Sequence, residues 1–381
     1  MSYPTLRLHP RKEESVLRFH PWIFSGAIAS FSAPVEDGDL VSVVDSKGRP
    51  LGTGHFGGGS IAVRLLSFDA EEVIDRAFYK RRLESALRLR LSCDLVRPVG
   101  SSDSPNTTYR LVHGEGDSLP GLIIDIYDRT AVVQAHSLGM HQARQTIAEV
   151  LWEVFAEAGD PVLPLEGIYY KSETTLPTRD MRELASDGFL IGHTEAAPIY
   201  ENGVRFTPDW LKGQKTGFFI DQRDNRALVA HYAKGRTVLN AFCYTGGFSI
   251  YALHAGAKRV DSLDSSAKAM YLTEQHVALN FGADCPRHHS VTEDAFDYLE
   301  RMREGEYDLI ILDPPAFAKH RKVLRNALIG YRKINSIAFK KVAPGGIVFT
   351  FSCSQAVSKE EFRLAVFTAA AASGRKVRIL H

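Results

Sequence analysis

An acid and a thiol follow two apolar stretches near the end of the chain. Asp313 comes directly after DLIIL and before two prolines, and Cys353 stands between two serines after GGIVFTF. A thiolate can form a covalent bond to an electrophilic carbon, and a carboxyl group can hold or move a proton. A lone cysteine at the end of a strand is more often a small buried apolar residue. Packing is therefore the alternative to chemistry for Cys353.

A glycine turn and two further aspartates follow earlier apolar stretches. Gly246 and Gly247 lie in YTGGF, Asp264 ends RVDSLD, and Asp294 lies in EDAFDYLE. The turn lacks the GxGxxG pattern that admits a pyrophosphate. We therefore predict S-adenosylmethionine as the cofactor, with its adenosine at the two aspartates and its amino-acid tail at the turn. The alternative is a tight turn that merely needs glycine, together with two exposed aspartates that cap helices.

These residues follow four stretches typical of buried strands. RTVLNAFC, RVDSLD, DLIILD and GGIVFTFS are separated by helical segments, which is the rhythm of a doubly wound parallel sheet. Ligands of such sheets bind beyond the carboxyl ends of the strands. We therefore predict an α/β fold in which Asp313, Cys353 and the glycine turn lie at one rim.

The first half of the chain has a different pattern. Residues 1–70 contain short segments with period-two patterning, such as IAVRLLSF, and predict a small, mostly β domain. Residues 71–190 predict a central α+β domain that begins with a helix, and residues 191–381 complete the chain. That first helix carries a basic cluster that indicates either a solvated face or an RNA contact: Lys80, Arg81, Arg82, Arg88 and Arg90.

The composition limits the possible functions. A chain of 381 residues predicts two or three domains, and 46 Lys and Arg against 45 Asp and Glu leave no global basic excess. A surface for nucleic acid must then be a local patch. The four cysteines form no CxxC pair, which argues against zinc and disulfides and favours the reducing cytoplasm. We find no signal peptide or membrane span, propose no metal, and interpret His288 and His289 as surface residues.

Four segments carry a resemblance to a known family. QKTGFFIDQRDNR, NAFCYTGGFS, LDPPAF and FTFSCSQ, in that order, resemble the RNA cytosine-5 methyltransferases that act on bacterial large-subunit (23S) ribosomal RNA. The resemblance covers nearly the whole chain. It implies an N-terminal PUA-type RNA-binding domain, a central α+β domain and a C-terminal Rossmann-like methyltransferase domain. It also implies ribosomal RNA before full assembly as the partner, and it weakly suggests a homodimer.

The resemblance assigns roles to individual residues. Cys353 would be the nucleophile and Asp313 its acidic partner. The positions implied for the cofactor are Asn240, Phe242, Tyr244, Thr245, Gly246, Gly247, Asp264 and Asp294, with Gln222 and Arg223 in a segment beside it.

Cytosine methylation requires a nucleophile because carbon 5 of the ring is itself unreactive. Addition of the Cys353 thiolate to carbon 6 would make carbon 5 nucleophilic, and protonated Asp313 would stabilise the adduct near ring nitrogen 3. Two alternatives stay open. An acid followed by two prolines and an aromatic, Asp313 to Phe317, also suits methylation of a purine amine, which needs no thiol. The chain could also be a non-catalytic RNA-binding assembly factor.

The end of the sequence departs from the expected domain. The chain stops at KVRILH, about where a sixth strand should lie, and the antiparallel seventh strand of this fold is not visible. We expect either a truncated chain or a sheet with an unprotected edge.

Overall fold

The computed structural model describes residues 3–101, 104–177, 186–318 and 320–381. It divides into a first unit of Met1–Gly203 and Thr207–Ile220 and a second unit of Val204–Phe206 and Asp221–His381. None of the helices within the described ranges is both long and apolar enough to cross a membrane.

The first unit begins with a six-stranded sheet. Its strands alternate between buried and less buried side chains. Along LVSVV, Val41 and Val43 are buried while their neighbours are half-buried. The strand order is β2-β6-β5-β4-β1-β3. The elements are β1 Thr5–Leu8, α1 Glu14–Leu17, β2 Trp22–Phe24, a 3₁₀ turn Ser25–Ala27, β3 Ile28–Phe31, β4 Leu40–Val44, β5 Pro50–Phe56 and β6 Ile61–Ser67.

A five-stranded sheet with helices completes the first unit, and its strand order is β11-β10-β9-β8-β7. The long helix α2 begins where the Asp75 carboxylate accepts a hydrogen bond from the backbone N–H of Phe78. The elements are α2 Arg76–Ser92, β7 Thr108–His113, a 3₁₀ helix Gly114–Asp117, β8 Leu122–Tyr127, β9 Thr130–Ala135, α3 Leu138–Gln142, α4 Arg144–Glu157, β10 Gly167–Tyr170, β11 Gly188–Gly192 and β12 Ile199–Glu201.

The basic cluster on α2 is engaged by carboxylates. Lys80 lies 2.7 Å from Glu157. Arg81 and Arg82 lie 2.9 and 3.0 Å from the two oxygens of Glu72. These ion pairs favour the interpretation of this face as a solvated, structural surface over an RNA contact.

The second unit is built on five parallel strands in the order β16-β15-β14-β17-β18. This is the predicted doubly wound sheet, and the predicted α/β fold class is confirmed. The elements are β13 Val204–Phe206, a 3₁₀ turn Ile220–Gln222, α5 Arg223–Ala233, β14 Thr237–Ala241, α6 Gly247–His254, β15 Arg259–Asp264, α7 Ala267–Phe281, β16 His288–Thr292, α8 Ala295–Arg301, β17 Leu309–Leu312, a 3₁₀ turn Arg321–Val323, α9 Leu324–Lys341, β18 Ile347–Thr350 and α10 Lys359–Ala372.

The carboxyl ends of the central strands are level. Ala241 pairs with Leu263 on one side and Leu312 on the other, and Leu312 pairs with Thr350. The strand order reverses between β14 and β17, which makes their carboxyl ends the topological switch point of the sheet. The residues directly after Ala241 and Leu312 therefore lie where such folds bind ligands.

A chain of polar side chains, three of them buried and the last, His288, half-buried, crosses three of these strands. The Asn240 amide donates to Ser249 Oγ at 2.9 Å, Ser249 Oγ lies 2.7 Å from Ser262 Oγ, and Ser262 Oγ lies 2.8 Å from Nε2 of His288. Burial lowers the pKa of His288 to about 4. The prediction of a surface role is therefore wrong for His288, whose ring completes this chain, while His289 is exposed as predicted.

The short strand β13 is anchored within the second unit. The backbone N–H of Arg205 donates to Asn280 Oδ1 at 3.0 Å, and the Asn280 amide donates back to the Arg205 carbonyl at 2.8 Å. The fully buried ring of Phe206 stacks on Tyr251 at 6.3 Å and meets His276 edge-on at 5.4 Å. Three residues are thus held by helices of the second unit although the next segment, Thr207–Ile220, belongs to the first unit.

Candidate functional site

The turn after β14 has an unusual backbone. Phe242, Tyr244 and Gly246 all have left-handed φ angles, of 60°, 49° and 77°. Only glycine adopts this region without cost. A Cβ atom on Gly246 would also lie 2.6 Å from the Thr273 methyl carbon. The sequence pattern identified the glycine, but it gave no signal for the left-handed Phe242 and Tyr244.

Three hydrogen bonds hold this turn in place, and a fourth orients the Asp264 carboxylate that accepts one of them. Asp264 accepts from the backbone N–H of Tyr244 at 3.0 Å and from that of Ser266 at 2.9 Å. The Thr273 hydroxyl donates to the Tyr244 carbonyl at 3.0 Å, and Nδ1 of His276 contacts the Thr245 carbonyl at 2.8 Å. Asp264 therefore shapes the turn from the neighbouring strand. Thr273 and His276, on α7, were not singled out from the sequence.

The polar groups around the turn fit the predicted cofactor. The side-chain amide oxygen of Asn240, Oδ1, is buried and has no hydrogen-bond partner among the residues that the structure describes. It can accept from an ammonium or hydroxyl group, and half-buried Asp264 adds a carboxylate. Both suit a ligand that carries an amino-acid tail and a ribose.

Asp294 caps a helix, as in the alternative interpretation of its role. Its exposed side chain accepts from the backbone N–H groups of Phe296 and Asp297 at 2.8 and 3.2 Å, both through Oδ1, at the start of α8. Helix capping accounts for both of these hydrogen bonds. It occupies one carboxylate oxygen, so the second stays available to a ligand.

The predicted acid lies one residue beyond β17. Half-buried Asp313 is contacted by the Gln222 side chain, whose Nε2 donates to Asp313 Oδ2 at 3.4 Å. The Asn225 amide donates to the other end of Gln222, to Oε1, at 2.6 Å, which leaves the Gln222 nitrogen to face the carboxylate. The structure thus brings Gln222 to the acid. Arg223 instead lies 3.4 Å from the carboxylate of its neighbour Asp224.

The predicted thiol is exposed and lies beside the acid's loop. Cys353 Sγ is 3.7 Å from the carbonyl oxygen of Pro314, the residue that follows Asp313. Cys243 differs: it is buried, and burial raises the pKa of its thiol. An exposed side chain contributes little to packing, so the structure disfavours the packing alternative for Cys353.

Aromatic rings form one side of the site. The ring of Phe296 lies 6.4 Å from Phe242 and 6.1 Å from Phe317, and Phe317 lies 4.7 Å from Tyr331. The rings connect the glycine-turn loop with the loop after Asp313. Phe296 and Tyr331 were not predicted, because each lies in a helix whose pattern indicates only packing.

Comparison with known proteins identifies two matching families. Residues 178–378 match the S-adenosylmethionine-dependent methyltransferase family, and residues 6–68 match a PUA-like domain.

Relatives match along nearly the whole chain. "Ribosomal RNA large subunit methyltransferase I" of Shewanella denitrificans is 40% identical over 98% of this chain and 92% of its own length. The protein of the same name from Klebsiella pneumoniae is 36% identical over 99% and 92%. A solved structure from Streptococcus mutans, assigned as a SAM-dependent methyltransferase, has 22% identity and a TM-score of 0.77 over 97% of this chain and 90% of its own.

Proposed function

This chain belongs to the S-adenosylmethionine-dependent methyltransferase family, and from that premise we propose that it methylates carbon 5 of a cytosine in large-subunit ribosomal RNA through a covalent bond to Cys353. The family confirms the predicted cofactor. The names of the relatives support ribosomal RNA as the substrate. The observation that carries the covalent step is the exposed Cys353 thiol beside the loop of Asp313.

The cofactor supplies an electrophilic methyl group when it is bound. Among this chain's residues, Asn240 offers a buried acceptor and Asp264 a carboxylate, and the glycine turn brings backbone close to the ligand. Tyr244 and Thr245 belong to that turn, and Phe242 lies directly before it. We propose that Asp294 contributes through its second oxygen and that Gln222 and Arg223 close the neighbouring side.

The proposed role of Cys353 is to activate the base and then leave. Its thiolate bonds to carbon 6, and the electrons of the carbon 5 to carbon 6 double bond move to carbon 5. Once carbon 5 has gained the methyl group, its proton passes to a base. The electrons of that carbon–hydrogen bond restore the double bond, and the sulfur–carbon bond breaks to return the thiolate.

We propose that Asp313 supports the adduct. Protonated, it can donate to ring nitrogen 3 as negative charge develops on the base. The amide of Gln222 fixes one carboxyl oxygen, Oδ2. We propose that this contact orients the acid toward the base.

The RNA contact is proposed for the basic segment after the acid's loop. Lys322, in the 3₁₀ turn before α9, and Arg325, in the first turn of α9, are exposed, and Arg321 lies 3.3 Å from Glu361. Lys319, part of the same segment, lies outside the described residues. Such side chains bind phosphates and position the strand without reading its sequence. The target cytosine must be unstacked, which is cheapest in a loop or in RNA not yet assembled.

The test is transfer of labelled methyl from S-adenosylmethionine to protein-free large-subunit ribosomal RNA, followed by identification of the modified nucleoside. Wild type should form 5-methylcytosine, and Cys353→Ala should form none while it still binds the cofactor. Cys93→Ala is the matched control, because that cysteine is also exposed but lies in the first unit. Label in a purine, or normal turnover by Cys353→Ala, would favour amine methylation. RNA binding without transfer by wild type would favour an assembly factor.

A further inference from the structure

The two serines beside Cys353 share one hydrogen-bond partner. Ser352 Oγ donates to the Tyr331 hydroxyl at 2.9 Å, and the Tyr331 hydroxyl lies 2.8 Å from Ser354 Oγ. The backbone N–H of Ser354 donates to Ser352 Oγ at 3.3 Å. Both sides of Cys353 are therefore tied into one closed ring of hydrogen bonds.

The direction of these bonds follows from the number of hydrogens. Tyrosine has a single hydroxyl hydrogen, and because the Tyr331 oxygen already accepts from Ser352, that hydrogen is available for Ser354. Ser354 Oγ also accepts from the backbone N–H of Ala318 at 3.3 Å. The ring thus joins the loop of Cys353 to the loop that follows Asp313.

The position of the Tyr331 hydroxyl is set by its surroundings. The side chain is fully buried on α9. Its ring lies 4.7 Å from Phe317 and 5.1 Å from Phe362. Close packing restricts the ring to one orientation. The hydroxyl can therefore serve as a fixed point for a loop whose central side chain is exposed.

We propose that Tyr331 is a positioning residue for the Cys353 nucleophile, acting through Ser352 and Ser354; this rests on the proposed function. It does not touch substrate. Its hydroxyl holds the serines so that the thiol stays beside the Pro314 carbonyl and Asp313. The acid and the nucleophile come from different loops, and the ring keeps the two at a constant separation.

The decisive variant is Tyr331→Phe, which keeps the ring and its packing but removes the hydroxyl. We expect kcat for methyl transfer to fall about 10- to 100-fold, because a small misplacement of a reacting group has costs of this order. The Kd of S-adenosylmethionine should stay within about twofold of wild type, because cofactor binding does not use the hydrogen bonds of the Tyr331 hydroxyl.

The matched control is Tyr298→Phe. Tyr298 is also buried in the second unit, but its hydroxyl contacts that of Tyr307, so we expect kcat to be unchanged. Ser354→Ala should lower kcat in the same way as Tyr331→Phe. The double variant, Tyr331→Phe with Ser354→Ala, should be no slower than Tyr331→Phe alone, because both changes break the same ring of hydrogen bonds.

Several results would overturn the proposal: wild-type kcat in Tyr331→Phe, a loss confined to KM or cofactor affinity, an equal loss in Tyr298→Phe, or additive losses in the double variant. If Tyr331→Phe does not fold, the kcat of Ser354→Ala alone decides. The proposed function fails differently, through activity in Cys353→Ala, so the two failures can be told apart.

Discussion

At the scale of single residues, Gly246 in the glycine turn has a left-handed backbone and lies close to the Thr273 side chain. Gly246 has a φ of 77°, and its α-carbon faces the Thr273 methyl group. An alanine at this position would have to hold a left-handed backbone and displace Thr273, which also holds the turn through its hydroxyl. The turn is therefore a place where one methyl group changes both stability and binding.

We predict that Gly246→Ala lowers the free energy of unfolding by about 1–3 kcal/mol and weakens S-adenosylmethionine binding, as measured by denaturant unfolding and calorimetry. Gly256→Ala is the control, because Gly256 has a φ of 88° but its nearest neighbour would be a Lys234 side-chain carbon at 3.8 Å. The control should lose stability and keep its cofactor affinity. Unchanged affinity in Gly246→Ala would remove the turn from the cofactor site.

At the scale of elements, the Asp294 side chain at the start of α8 has two proposed roles. Asp294 caps the helix through Oδ1, and we propose that its second oxygen meets the cofactor. Serine caps helices about as well as aspartate but has no second oxygen. We expect Asp294→Ser to leave the unfolding midpoint near that of wild type while the Kd of S-adenosylmethionine rises. A loss in neither quantity would leave Asp294 as a cap alone.

Two elements were found where the local sequence pattern predicted them. RVDSLD coincides with β15, and the helix predicted around residues 70–91 is found as α2, from the Asp75 cap onward. GGIVFTFS was predicted as strand to its end, but β18 stops at Thr350. Phe351 still donates to the Leu312 carbonyl of β17, and from Ser352 onward the serines bond instead to Tyr331, which lies 21 residues before Ser352. A local pattern contains no information about such distant partners.

The outline of the site could be predicted because it follows from the strands. Asp264 ends a strand and Asp313 and Cys353 follow strands, and parallel strands bring their carboxyl ends together. The contacts of Gln222, Thr273 and Tyr331 depend on tertiary packing, so the sequence pattern alone did not assign them. The left-handed backbone of Phe242 and Tyr244 was also missed, because these residue types normally avoid that region.

At the scale of the whole molecule, each unit contains a histidine that folding keeps neutral. Burial lowers the pKa of His55 in the first unit and of His288 in the second to about 4 in each case. An unfolded histidine titrates near pH 6.5. Between these values the unfolded chain binds protons that the folded chain does not, so the free energy of unfolding falls as the pH drops from about 6.5 towards 4.

We therefore expect urea unfolding midpoints of the wild type to be lower at pH 5 than at pH 7.5. Replacement of either histidine by glutamine removes that titration, so His55→Gln and His288→Gln should each show a smaller drop than wild type between the two pH values. An identical drop in both variants would show that carboxylates alone cause the acid sensitivity.

The placement of β13 also sets an order of events during synthesis. Val204–Phe206 leave the ribosome before Thr207–Ile220, yet Phe206 packs on Tyr251 and His276, which are translated later. At about 5–20 residues per second, the roughly 70 residues up to His276 take about 4–14 s to appear. Once Ile220 has appeared, the first unit has all of its residues, while the Phe206 ring still lacks its native partners. Folding of the first unit can therefore begin before β13 has the helices that hold it.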